Sequence, residues 1–342
     1  MKPLRIAVDG WNLAADRRGM GRYARAVLET LATESDIDLT VVVKSTDDIT
    51  QTRGAADAAT VIPFHRARQQ TFDATWYPWN GMRFGLPGGT VATIHDVFAF
   101  AYPHRNPIAR RREQRPILRA VEQATVLTSV SEFSARELER QFGVPLERLT
   151  IAPPVPSDFW KPVPAAVGRP YFLFIAAPDA RKNAAMLFGA FADAFAHREV
   201  ELIIAGSLSA ADQGLLKDRR IAHVLRTPTD AELRTLYSGA LALLMPSLDE
   251  GYGLPAVEAM ACGSAVVASD RGGLPEACDG AALLLPALDV RQWQDAMRLL
   301  ATDAEKREQL RQRSLTRARR IDRSRPGRII AERLRRAAAA AR

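Results

Sequence analysis

The feature that most constrains the fold is an alternation of short apolar, β-branched runs with longer helical patterns. It extends through almost the whole of the 342 residues. Residues 4–8, 39–43, 90–94 and 125–128 read as strands. Residues 21–32, 107–123 and 132–142 read as helices, the last with Ser131 as its N-cap. The pattern breaks once, at 153–170, which holds six of the 21 prolines. Proline removes a backbone donor and resists both helix and central strand, so this stretch reads as a linker. Alternation then restarts, with strands expected at 171–175, 201–205, 240–244 and 265–268 and helices at 184–196, 231–239 and 255–262. Residues 291–342 read as helix with a break at Pro326-Gly327. A β/α alternation implies parallel sheets covered on both faces, here in two Rossmann-like β/α/β domains, 1–160 and 161–342.

Composition removes several function classes. No apolar stretch approaches the roughly 18–20 residues of a membrane span. The first residues, Met1-Lys2-Pro3-Leu4-Arg5-Ile6, read as a strand rather than a secretory signal. Two cysteines, Cys262 and Cys278, exclude a disulfide framework, and a cytoplasmic location is expected. The net charge of +8 is uneven. Residues 311–342 contain 12 Arg, no Lys and two acids, a net of +10, which leaves −2 for residues 1–310. A basic tail on a near-neutral body does not fit a nucleic-acid-binding protein, whose cations would line a groove. A second basic cluster spans 105–119, with Arg110, Arg111 and Arg112 at its centre. It reads either as a solvated helix face or as a contact for anionic lipid headgroups or a lipid-diphosphate acceptor, and so does the tail.

The segment richest in chemistry is 246–263, Pro-Ser-Leu-Asp-Glu-Gly-Tyr-Gly-Leu-Pro-Ala-Val-Glu-Ala-Met-Ala-Cys-Gly. It follows an expected strand and opens an expected helix. Gly251 and Gly253 permit close backbone approach, and Pro255 suits a first helical turn. The free N–H groups of such a helix start favour an anion, most simply a phosphate. Glu258, one turn in, suits a ribose diol, and Glu250, in the loop, suits sugar hydroxyls. A plain surface turn is the competing reading of the spacing alone.

With its Glu250-x7-Glu258 spacing, this segment resembles the signature of retaining glycosyltransferases of family 4, which have the GT-B fold of two Rossmann-like domains facing each other across a cleft. The likeness continues through 264–269 and Leu274-Pro275-Glu276, and upstream through 230–233 and 236–237. Arg181-Lys182-Asn183 looks like the family's loop whose cations clamp the donor diphosphate, a charge that develops on the leaving group. Thr93-Ile94-His95-Asp96-Val97 looks like its His-Asp element beside donor sugar and acceptor. Gly19-Met20-Gly21 resembles its N-terminal glycine turn. Two departures stand out: Ala176-Ala177-Pro178 replaces a glycine turn, and Pro153-Pro154-Val155-Pro156 replaces an Asn-Gly turn.

The resemblance implies a metal-independent hexosyltransferase without a cofactor. Its donor is a nucleotide sugar, with GDP-mannose as the leading candidate, and its acceptor a saccharide or lipid-linked saccharide of cell-surface polysaccharide synthesis. His95, Glu250, Arg181 and Lys182 are the expected catalytic residues. Gly19, Gly21, Gly251, Tyr252, Gly253, Leu254 and Glu258 join them around the donor. The last helix, about 326–342, is expected to return to the first domain. A peripheral position at the membrane follows if the basic segments meet lipid. A sugar-nucleotide epimerase or hydrolase, or a non-catalytic nucleotide-sugar scaffold, is the alternative. A dehydrogenase is disfavoured because no complete Gly-x-Gly-x-x-Gly follows a strand. Asp36-Ile37-Asp38 is formally a metal motif of the other large glycosyltransferase fold, but its place before a strand marks it as a turn.

Overall fold

The computed structural model describes residues 2–16, 19–53, 59–164, 168–195, 199–218 and 223–342. The chain forms two compact units, 1–155 with 322–342, and 156–321. The first boundary thus falls five residues ahead of the expected 160/161, because Trp160 is already buried in the second unit against Tyr237, ring centroids 5.7 Å apart. Residues 165–167 of the proline-rich stretch and Ala196 of the expected helix 184–196 lie outside the described residues.

Among the described residues, the first unit holds seven parallel strands: β1 (Leu4–Asp9), β2 (Ile37–Val43), β3 (Thr60–Pro63), β4 (Ala74–Tyr77), β5 (Gly89–Ile94), β6 (Val126–Ser129) and β7 (Leu149–Ile151). Their order is β3-β2-β1-β4-β5-β6-β7. Alternation of side chains sends Ile6 and Val8 to one apolar layer and Ala7 to the other, so the sheet is covered on both faces. Among its described residues the second unit repeats this with six parallel strands: β8 (Tyr171–Ala176), β9 (Glu201–Gly206), β10 (His223–Arg226), β11 (Leu243–Met245), β12 (Val266–Ser269) and β13 (Leu283–Leu285). Their order is β10-β9-β8-β11-β12-β13. Phe172 and Phe174 enter one layer, and Leu173 the other. In each sheet the order reverses beside the first strand, between β1 and β4 and between β8 and β11. Ligands of open α/β sheets gather outside the carboxyl ends of the strands at such a switch point.

The last helix, Arg325–Ala340, belongs to the first unit. Ile330, Ala331, Leu334, Ala337 and Ala338 recur at helical spacing and pack in the layer that contains Trp76. The expected break at Pro326-Gly327 lies instead at 320–324. Pro326 falls in the first turn, where its missing N–H costs nothing, and Gly327 lets the helix approach Thr30 closely.

The tail's charge is partly spent inside the fold. Arg335 pairs with Glu34 and with Asp36, each at 2.6 Å, which holds the Asp36 carboxyl below its ordinary range. Arg342 reaches Asp73 at 3.1 Å, and Arg328 pairs with Asp322. Asp36 is therefore an anchor for the last helix. Among the described residues, no helix is long and apolar enough to cross a membrane.

Candidate active site

In the second unit, the loops after β8 and β11 flank the switch point, and hydrogen bonds fasten each to its neighbours. Asn183, at a left-handed φ of 55°, starts the helix Ala184–Ala194. Its side-chain amide donates to the carbonyls of Pro246 (3.0 Å) and Ala287 (2.9 Å). The Arg181 carbonyl accepts from the Leu248 N–H at 2.7 Å. The two loops are thus tied across the ends of β8 and β11, which brings Lys182 onto Glu250. Lys182 Nζ lies 2.6 Å from Glu250 Oε1, which also accepts from Ser247 Oγ at 2.8 Å. Ser247 is itself held, its carbonyl accepting from Ser269 Oγ at 2.5 Å. Arg181 pairs with Asp179, whose carboxylate also caps the short turn Ala180–Lys182.

The Glu250 backbone is clamped by the segment after β12. Gly273 N–H donates to the Glu250 carbonyl at 2.8 Å. A Cβ on Gly272, already at a φ of +61°, would lie 2.5 Å from that carbonyl oxygen. Gly253, with φ +111°, precedes the helix Leu254–Ala261 and supplies no side-chain cap. Pro255 has no N–H and the Ala256 N–H donates to the Gly253 carbonyl at 2.9 Å, so the Leu254 N–H is the group this helix start presents. Tyr252 and Leu254 are buried, and Gly251 is partly exposed. Glu258 is only 1% exposed, within the helix. Burial, with the Glu258 charge, pushes the Cys262 thiol up to about 12, and burial does the same to Cys278. Neither is a nucleophile at neutral pH. Arg181, Lys182 and Glu250 thus come together with the helix start, while Glu258 lies in its interior. Sequence reasoning singled out the Arg181-Lys182-Asn183 loop and the segment that holds Ser247, but missed the fastening roles of Asp179, Asn183 and Ser247. The signal was a polar residue on each side of the Arg-Lys pair and three positions before Glu250.

In the first unit, His95 follows β5 and is 8% exposed. Burial lowers its pKa to about 4, so the imidazole is neutral. Nε2 lies 2.8 Å from the Pro78 carbonyl, which only accepts, so Nε2 carries the proton and Nδ1 is left as acceptor. Tyr23 packs edge-on at 5.2 Å, and Ser134 Oγ donates to the His95 carbonyl at 2.8 Å. Ser131, the expected cap, accepts from the Ser134 N–H. Gly21 and Gly19 differ. A Cβ on Gly21 would fall 1.8 Å from the Asp16 carbonyl oxygen, whereas one on Gly19 would meet nothing within 4 Å. Gly21 is thus required by packing of the preceding loop.

Asp9, at the end of β1, is fully buried. Burial pushes its pKa up to about 7, against the Trp11 N–H and the Arg83 charge. The fold therefore holds a proton on Asp9 between about pH 3.8 and 7, and stability falls as pH rises through that window. His95 acts oppositely: its folded pKa near 4 lies below the ordinary 6.5, so stability falls as pH drops from 6.5 to 4. In Asp9→Asn the first slope disappears. The variant is expected to gain up to about 4 kcal/mol above pH 7 and to lose stability on acidification from 6.5 to 4. Thermal melts at pH 8, 6 and 4.5 check this, and a variant that tracks the parent at every pH contradicts it.

The geometry defines an α/β protein of two parallel sheets with a charged site at the carboxyl edge of the second. Residues 157–317 match the model of the family "Glycosyl transferases group 1". The chain is 27% identical over 320 residues to O-antigen chain mannosyltransferase B of Escherichia coli, covering 80% of this chain and 84% of that one. It is 32% identical over 213 residues to MMP alpha-(1->4)-mannosyltransferase of Mycolicibacterium hassiacum, covering 57% and 51% respectively. Anabaena Alr3699/HepE in complex with UDP-glucose has the same fold, with a TM-score of 0.75 at 15% identity over 97% of this chain and 99% of that one. The match to the glycosyl transferase group 1 model thus spans nearly the whole of the second unit, and the chain has the GT-B fold of its structural neighbours.

Proposed function

We propose that the protein is a retaining, metal-independent hexosyltransferase that moves mannose from GDP-mannose to a saccharide or lipid-linked saccharide. The observation that carries this reading is the Lys182–Glu250 pair beside the uncapped helix at Gly253. A donor diphosphate competes for Lys182, and Arg181 and the N–H groups of Gly253 and Leu254 add to its binding. Glu250, released from Lys182, is then free to accept hydrogen bonds from the sugar. The likeness to two mannosyltransferases supports the choice of sugar.

The chemistry needs no side-chain nucleophile. The bond from the anomeric carbon to the diphosphate oxygen breaks, and the acceptor oxygen bonds to that carbon from the same face. The acceptor proton passes to the departing phosphate oxygen. Lys182 and Arg181 stabilise the charge that develops there, the role a metal fills elsewhere. His95, neutral and fixed, positions rather than transfers a proton.

Donor hydrolysis without acceptor tests the stereochemistry. Proton NMR of GDP-α-mannose with the protein is expected to show α-mannose as the first product, at an unchanged rate in EDTA. First appearance of β-mannose contradicts retention, and loss of turnover in EDTA contradicts metal independence.

A further inference from the structure

The first unit has a separate cavity of about 980 Å³ that the donor reading does not use. It opens at the carboxyl ends of β1 and β2, with Trp11, Asn12 and Lys44 in its wall, beside the switch point of the first sheet. The rest of the wall is the segment at Met82-Arg83 and the helix Pro107–Gln123. These two are locked together. The Met82 N–H donates to the Pro116 carbonyl at 2.9 Å, and a Cβ on Gly81 would lie 2.4 Å from that oxygen.

Six cations line this space: Lys44, Arg83, Arg111, Arg112, Arg115 and Arg119, against one acid, Glu113. Among the described residues, no carboxylate forms an ion pair with any of the six. They contrast with Arg136, Arg140 and Arg335, each paired with a carboxylate. Like charges gathered in a concavity repel one another unless an anion enters. A single carboxylate matches little of that charge, whereas a phosphate or diphosphate matches more and suits the planar fork of arginine. The size is that of an organic ligand site rather than of a bare ion.

We propose that this cavity binds the phosphate or diphosphate ester of the acceptor, with Arg83, Arg112 and Arg115 as its principal contacts. That the ester belongs to the acceptor rests on the transferase reading. The anion site itself stands on the cavity and its charges.

The test is calorimetric titration of inorganic pyrophosphate into the full chain saturated with GDP, which fills the donor site. Binding is expected, and the triple variant Arg83→Gln/Arg112→Gln/Arg115→Gln is expected to weaken it at least tenfold with GDP affinity unchanged. The control Arg136→Gln/Arg140→Gln should leave both unchanged. Geranyl diphosphate in the same titration separates the sources. Tighter binding than pyrophosphate marks a lipid-borne diphosphate, and equal binding a sugar-borne or free one; both support the site. Absent pyrophosphate binding, or equal affinity in parent and triple variant, overturns the proposal. So does arginine-dependent sedimentation with phosphatidylglycerol vesicles without pyrophosphate binding, which would make the patch a membrane surface. Failure of GDP to bind while pyrophosphate binding persists refutes the GDP-mannose reading of the donor site and leaves the anion site standing.

Discussion

Lys182→Ala is expected to weaken GDP binding by about 100-fold and to lower transfer by about 10²–10³-fold, without unfolding the protein. A charge-assisted hydrogen bond contributes about 1.5–3 kcal/mol, and a donor aimed at developing charge is worth about that much again in rate. The substitution also leaves Glu250 facing the diphosphate without its cation, so repulsion adds to the loss. The fold should survive, because Glu250 keeps Ser247 as donor and the loop keeps Asn183 as its fastener. Glu250→Gln separates the two roles. It should bind GDP as well as the parent or better, and lose the extra affinity that mannose confers. Calorimetry with GDP and GDP-mannose on both variants checks the pair. Unchanged GDP affinity in Lys182→Ala would remove the diphosphate assignment.

The largest expected stability effect lies far from that site. Gly89→Val places a branched side chain where the last helix crosses β5, and even a Cβ there would fall 2.2 Å from the Ala337 carbonyl oxygen. A backbone oxygen cannot rotate away, so the helix must shift. The buried Ile330, Ala331 and Leu334 then lose packing in the apolar layer they share with Trp76. Overpacking alone costs about 1–3 kcal/mol, and partial release of the helix brings the total to about 4 kcal/mol. At about 2–4 °C per kcal/mol for a unit of this size, the melting temperature falls by about 8–16 °C. Gly19→Ala, which meets nothing within 4 Å, should change it little. Equal melting of Gly89→Val and the parent would show that the helix is not held at this crossing.

Much of this was legible in the sequence because parallel strands buried on both faces read as continuous apolar runs. Runs such as 39–43 and 171–175 announce themselves in that way. The short strands Thr60–Pro63, Ala74–Tyr77, His223–Arg226 and Leu283–Leu285 have three or four residues and no distinctive run, and the sheet rather than the sequence defines them. The grouping of Arg181, Lys182 and Glu250 was readable because each lies directly after a strand, where parallel topology gathers loops at one edge. The Asn183 fastener was not, because its partners Pro246 and Ala287 are 63 and 104 residues away. Burial of Asp9 and protonation of His95 at Nε2 depend on neighbours from β4 and its loop that no spacing encodes. The arginine cluster at 105–119 was visible as charge, but its concave setting was not. That setting comes from the lock between Met82 and Pro116.

We propose above all that the second unit binds a nucleotide sugar through Lys182 and Glu250. Saturation-transfer NMR of the protein against GDP-mannose, UDP-glucose, UDP-GlcNAc, dTDP-rhamnose and NADH tests it most directly. The prediction is a signal from GDP-mannose that Lys182→Ala abolishes and Arg136→Gln leaves intact. Saturation of NADH alone, or a sugar-nucleotide signal indifferent to Lys182, would contradict it.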